Sequence, residues 1–188
     1  MAEAELAKKR MIFEEFFVFS AGLALMRAAR KEKKTEPYTD FDMASFYDSL
    51  PFTLTGAQSR AVGEILEDFR RGIPMNRLVQ GDVGSGKTIV AFLAMIMTAE
   101  NGYQSAIMVP TEVLARQHYE ALTKLLEENE LLEQYRPVLL TGSNTAKEKR
   151  QIYEAIASGA TRMIIGTHAL IQEKVTYESL GLVITDEQ

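Results

Sequence analysis

The chain has no cysteine among its 188 residues and only two histidines, His118 and His168. The first absence excludes disulfides and thiolate metal sites and fits a reducing compartment. The second argues against a zinc site built from imidazoles. Positive charge is also short: 21 Lys and Arg against 26 Asp and Glu leave a net charge of -5. There is therefore no global attraction for nucleic acid, and any such binding must come from local basic groups and backbone amides on one surface. A long apolar run is missing as well. The stretch from Met11 to Met26 comes nearest, but Glu14 and Glu15 interrupt it and no small-residue cleavage site accompanies it. That argues against a membrane span or a signal peptide and predicts a cytoplasmic protein. What is present is an apolar content of 46%, ordinary for a packed core, in a chain with room for one domain plus an appendage.

The most informative stretch is Gly81-Asp82-Val83-Gly84-Ser85-Gly86-Lys87-Thr88, between the apolar runs Arg77–Gln80 and Ile89–Met97. It reads as a phosphate cradle. A strand is predicted to end at Gln80, glycines let the backbone turn tightly with N–H groups inward, and a helix starts at about Gly86 with its positive end at the same spot. Lys87 is placed to reach the β- and γ-phosphates, and the Thr88 hydroxyl to ligate Mg²⁺. An ordinary glycine-rich turn before a helix is the plainer reading. The full pattern arises by chance in only about one chain in a hundred of this size, given glycine at roughly 7% of residues.

Residues 1 to about 34 read as one long helix, because Ile12, Phe16, Phe19, Leu23 and Met26 recur at spacings of four and three, with Phe13, Phe17 and Ala24 widening the stripe. So much aromatic surface must pack on something, either the domain that follows or a part of the protein outside this sequence. The basic cluster Arg27, Arg30, Lys31, Lys33 and Lys34 reads as a solvated helix end that suits the macrodipole, with a nucleic-acid contact as the alternative. Residues 37–50 read as a linker. Past Pro51, a helix with the apolar face Ala61, Ile65, Leu66 and Phe69 starts near Gln58, whose amide donor and acceptor could meet an adenine edge. Beyond the phosphate loop, strands at 105–109, 138–141, 162–165 and 182–185 alternate with helices at 111–128 and 147–157. This pattern predicts a parallel sheet with helices on both faces. His118, between Arg116 and Glu120, reads as a surface histidine without a role.

A second chemical site closes the sequence. The apolar strand Leu182–Thr185 runs into Asp186-Glu187-Gln188, and the carboxyl ends of parallel strands share one edge. There Asp186 is suited to hold Mg²⁺, and Glu187 to polarise the water that attacks the γ-phosphate.

Taken together, Phe52–Gln58, Gly81–Thr88, Pro110–Ala115, Leu140–Ser143, Gly166–Leu170 and Asp186–Gln188 resemble, in order, the motifs of the first motor domain of superfamily 2 helicases. They are most similar to those of the RecG family of bacterial branched-DNA helicases. The resemblance covers residues 51–188 and implies an α/β, RecA-like P-loop domain there, preceded by a helix (residues 1–36) that joins an upstream wedge domain. It implies ATP and Mg²⁺ as cofactors and branched or duplex DNA as partner. Carried over residue by residue, Gln58 contacts adenine with Phe52 near the base, and the loop Gly81, Asp82, Val83, Gly84, Ser85 and Gly86 holds the phosphates. Lys87, Asp186 and Glu187 are catalytic, Thr88 and Asp186 hold the metal, and Pro110, Thr111, Thr141, Gly142, Thr167 and His168 line the nucleic-acid backbone.

Two departures bear on this. The sequence stops before the histidine that would complete the family's DEQH motif, and the second motor domain, with its arginine finger, is not in it; hydrolysis by these residues alone is therefore expected to be nearly absent. Transcription-repair coupling factors share much of the pattern, but an aromatic residue is expected there in place of Ser85 and a glutamate in place of Gln188. A non-motor P-loop protein, such as a kinase or a transporter ATPase, leaves the segments Pro110–Ala115 and Gly166–Leu170 unexplained.

Overall fold

A computed structural model of the chain describes residues 2–31, 35–39, 50 and 52–186. The chain divides into two compact units, residues 1–37 with 67–76, and residues 38–66 with 77–188.

In the first unit α1 spans Ala2–Lys31, as the stripe of spacings predicts. Its apolar side chains are exposed: Phe16 is 68% accessible, and Ile12, Phe13, Phe17, Phe19, Leu23 and Met26 are also open. Phe13 and Phe17, one turn apart, stack on each other at 6.0 Å. Of the basic cluster, Lys33 and Lys34 lie outside the described residues. After α2 (Gly56–Arg70), the chain turns at Gly72, whose φ of +63° suits a residue without Cβ, and Thr35 N–H donates to Gly72 O at 3.0 Å.

The second unit is built on four parallel strands, β1 (Gln104–Met108), β2 (Val138–Leu140), β3 (Met163–Gly166) and β4 (Leu180–Thr185), in the order β2-β3-β1-β4. Between them run α3 (Lys87–Glu100), α4 (Glu112–Glu128), the single turn α5 (Leu132–Tyr135) and α6 (Ala146–Ala157), with a 3₁₀ turn at His168–Ile171. Successive strand residues face opposite sides. On one side Ala106, Ile164 and Leu140 pack with Ile156 of α6 and with Ala169 and Leu170 of the 3₁₀ turn. On the other side Ile107, Met163 and Ile165 are equally buried, covered by α3 on β1 and β4 and by α4 on β2 and β3. The predicted α/β layering is therefore present. Gly166 permits the close approach of β3 to β2, since a Cβ there would run into the Leu140 carbonyl oxygen.

One expectation is corrected. Arg77–Gln80 forms no strand: residues 74–80 carry no regular structure, and Leu78 is 87% exposed. Leu78 and Val79 are adjacent, so they point to opposite sides and both can be buried only in a strand covered on both faces. Arg77 is instead drawn into an ion pair with Glu64 of α2. β4 is accordingly a sheet edge, with Leu180 and Val183 exposed. The predicted linker, for its part, is anchored at its start. Tyr38 is buried and stacks on Tyr103 at 5.2 Å, over Gly181 of β4, where a Cβ would stand 2.7 Å from the Tyr103 Cβ. Residues 40–49 lie outside the described residues.

Candidate functional site

The glycine loop has the backbone its sequence demands. Gly84 and Gly86 take φ of +78° and +77°, a region costly to any residue with a Cβ, and Ser85 N–H closes a turn on Asp82 O at 3.1 Å. At Gly81 a Cβ would stand 2.7 Å from Ser85 Oγ. α3 begins at Lys87 with Gly86 as its N-cap and no side chain capping it. Ile89 N–H closes on Gly86 O at 3.3 Å, and the positive end of the helix is left without a side-chain cap, as suits an anion. Lys87 folds back across the loop, its Nζ donating to the carbonyls of Gly81 at 2.7 Å and Asp82 at 2.9 Å. A triphosphate offers the same ammonium stronger, charged acceptors. Val83 stands at the fully exposed tip, and Thr88 is half-buried.

Gln58 has work beyond the one predicted. Its Nε2 donates to Ser85 O at 3.1 Å and Gly86 O at 3.4 Å, and its Oε1 accepts from Thr55 N–H at 2.8 Å. Thr55 Oγ1 in turn accepts from Gln58 N–H at 3.3 Å, so the pair forms a reciprocal cap on α2. The amide braces the phosphate loop, while Phe52, expected near a base, is exposed.

The strand carboxyl ends collect the other candidates. Pro110 and Thr111 follow β1, Thr141 and Gly142 follow β2, Thr167 and His168 follow β3, and Asp186 follows β4. The short connection from α3 to β1 reverses the chain, so the start of α3 points to this same edge. Asp186 N–H continues the ladder to Met108 O at 2.9 Å, and Thr167 N–H bonds Leu140 O at 3.3 Å. Pro110, Thr111, Gly142 and His168 are exposed. Thr111 Oγ1 also caps α4 by accepting from Leu114 N–H. Thr141 differs from its expected role, being 1% exposed with its hydroxyl turned to Ser143 Oγ and Asn144 Oδ1. It shapes the loop, and Gly142 and Ser143 present it. Glu187 lies outside the described residues.

Two residues at this edge were not anticipated. Glu112, at the start of α4, accepts from Ser143 N–H at 3.0 Å and so ties the loop after β1 to the loop after β2. Its carboxyl is held below the usual carboxylate range, chiefly by the Ser143 hydroxyl and then by backbone N–H groups of Ser143 and Gly142. His118, expected on the surface, has a side chain only 13% exposed, and its Nε2 lies 2.6 Å from Asp186 Oδ2. The signal for it was present: Ala115, His118, Leu122 and Leu125 fall at spacings of three and four on the buried stripe of α4.

Among the described residues no group of three His, Cys, Asp or Glu side chains could cage a metal.

The chain matches the DEAD/DEAH box helicase family over residues 55–188. It is 46% identical to the ATP-dependent DNA helicase RecG of Aquifex aeolicus over 98% of this chain and 23% of that protein. It is 44% identical to the chloroplastic/mitochondrial RECG1 homologue of Arabidopsis thaliana, over 99% of this chain and 21% of that protein. A solved structure of RecG bound to a three-way DNA junction is similar, with a TM-score of 0.83 and 44% identity, over 94% of this chain and 24% of the other. The chain thus spans about a quarter of the length of these relatives. No helix of the described residues is long and apolar enough to cross a membrane.

Proposed function

Because the chain belongs to the DEAD/DEAH box helicase family, we propose that it forms the ATP-binding part of a motor that remodels branched DNA in recombination and repair. The observation that carries the reading is the uncapped start of α3 with Lys87 folded across the glycine loop, on the sheet edge where Asp186 also lies. The relatives that are DNA helicases, and the similar structure on a three-way junction, support DNA as the partner.

In this reading the loop amides and Lys87 bind the phosphates, and Thr88 Oγ1 and Asp186 hold the metal. Glu187 orients the attacking water, and Gln58 and Phe52 face the base. When bound, Mg²⁺ would supply positive charge to offset that of the phosphates. The exposed loops at Pro110–Thr111, Gly142–Ser143 and Thr167–His168 offer amides and hydroxyls to DNA phosphates, contacts that position the protein rather than read sequence.

The test is unwinding of a synthetic three-way junction by the full-length protein. ATP-dependent unwinding should fall by about two orders of magnitude or more in Lys87→Ala, in line with the loss of a principal charge contact to the transferring phosphate. Unwinding that survives the substitution, or that needs no ATP, would contradict the proposal.

A further inference from the structure

His118 and Asp186 stand 68 positions apart in sequence, yet the Nε2···Oδ2 distance is 2.6 Å. We infer that His118 is a positioning residue for Asp186: its Nε2–H holds Oδ2, leaving Oδ1 as the carboxylate oxygen free to meet a divalent cation. The inference rests on the reading of Asp186 as a metal ligand.

A carboxylate at a strand end rotates easily about its side-chain torsions. One short bond from a ring N–H to a charged oxygen removes that freedom and is stronger than a neutral hydrogen bond. Carboxylates that ligate metals are commonly fixed in this way, and losing the fixing partner weakens metal binding.

The imidazole is itself held. His118 leaves α4 on the stripe of Ala115 and Leu122, both fully buried, so its ring is confined to the packed side of the helix. Phe92 of α3 meets the ring edge-on, with centroids 6.2 Å apart and planes at 89°. Phe92 follows Lys87 by about 7.5 Å along the helix axis at 1.5 Å per residue. The helix that carries the phosphate-binding lysine and the strand that carries the acid are therefore joined through one histidine.

The experiment is a Mg²⁺ titration of the chain in the presence of a fluorescent ATP analogue, repeated in EDTA. His118→Ala should raise the half-saturating Mg²⁺ concentration about tenfold and leave metal-free analogue binding within about twofold. His118→Gln, which restores an N–H donor, should recover most of that loss, a rescue that mere filling of the site by His118→Leu does not give. Asp186→Ala should abolish the Mg²⁺ dependence. An unchanged half-saturation in His118→Ala, with the dependence still lost in Asp186→Ala, overturns the positioning role and leaves the metal reading standing. A full Mg²⁺ dependence retained in Asp186→Ala overturns both, as does a chain that binds no analogue. Should His118→Ala not fold, ¹⁵N NMR of the unsubstituted chain decides. A proton on Nε2 whose resonance moves in Asp186→Asn supports the role; a proton on Nδ1 alone, or an unmoved resonance, overturns it.

Discussion

Gln58 Nε2 lies 3.1 Å from the carbonyl oxygen of Ser85, across 27 positions of sequence, and so fixes the phosphate loop from the start of α2. Replacing Gln58 by Ala removes that brace and the reciprocal cap with Thr55 together. Stability should drop by about 1 kcal/mol, the usual worth of a cap, and nucleotide affinity by about tenfold, one hydrogen-bond-sized loss in free energy. Thermal melts and analogue titration read the two effects. Gln58→Glu should bind nucleotide no better than Gln58→Ala, because a carboxylate cannot donate to the Ser85 and Gly86 carbonyls.

Gln104 is fully buried at the start of β1 and every arm of its amide is used. Nε2 donates to Ile156 O and Thr161 O, both at 2.9 Å, and Oε1 accepts from Glu178 N–H at 2.9 Å and Ser179 N–H at 3.1 Å. Gln104→Leu keeps the volume but takes a partner from four backbone groups, of which Ile156 O alone keeps a second donor, Gly159 N–H at 3.2 Å, among the bonds described. A loss of about 2–4 kcal/mol is expected, read as a lower urea midpoint at unchanged slope.

Glu112 ties Ser143 to the start of α4 with a carboxyl held below its ordinary value. For a depressed acid the stabilisation is present above the unfolded value and is lost as pH falls through the folded one. Ser143 amide exchange should therefore stay protected at neutral pH and through the ordinary carboxylate range, and lose protection only as the pH falls below that range. Glu112→Gln should weaken that protection at neutral pH and flatten the acid step. Ser143 protection that ignores both would show the tie to be absent in solution.

Burial raises the Tyr38 hydroxyl to about 12, with Tyr103 adding to the shift and the bond to Thr98 opposing it. A raised acid contributes stability that is whole below the unfolded value near 10 and is lost as pH rises towards the folded one. Between about pH 10 and 12 the unsubstituted chain should therefore lose melting temperature relative to Tyr38→Phe, which has no phenol to ionise. Parallel melting curves for the two across that range would place Tyr38 in water.

The sheet and its helices were legible because burial imposes period. β1, β3 and β4 are apolar runs, and α4 and α6 carry stripes at spacings of three and four. The phosphate loop was legible because glycine takes without cost the positive-φ backbone found at Gly84 and Gly86. Periodicity does not report pairings across long stretches of chain, and those make up the rest of the edge. Gln58 on Ser85, Glu112 on Ser143 and His118 on Asp186 are contacts that no local pattern encodes. His118 was obscured further by its neighbours Arg116 and Glu120, although its place on the buried stripe was there to be read. Arg77–Gln80 failed in the opposite direction. Its apolar pair suited a strand, but a strand also needs a partner, and the sheet order ends at β4.

The central claim is that the glycine loop and Asp186 serve one bound magnesium nucleotide. A crystal structure of the chain with Mg²⁺ and a non-hydrolysable ATP analogue tests it most directly. The account predicts Lys87 Nζ moved from the Gly81 and Asp82 carbonyls onto the phosphates, with a single metal between Thr88 Oγ1 and Asp186. Lys87 still on those carbonyls, with the nucleotide bound elsewhere or the metal out of reach of Asp186, would contradict it.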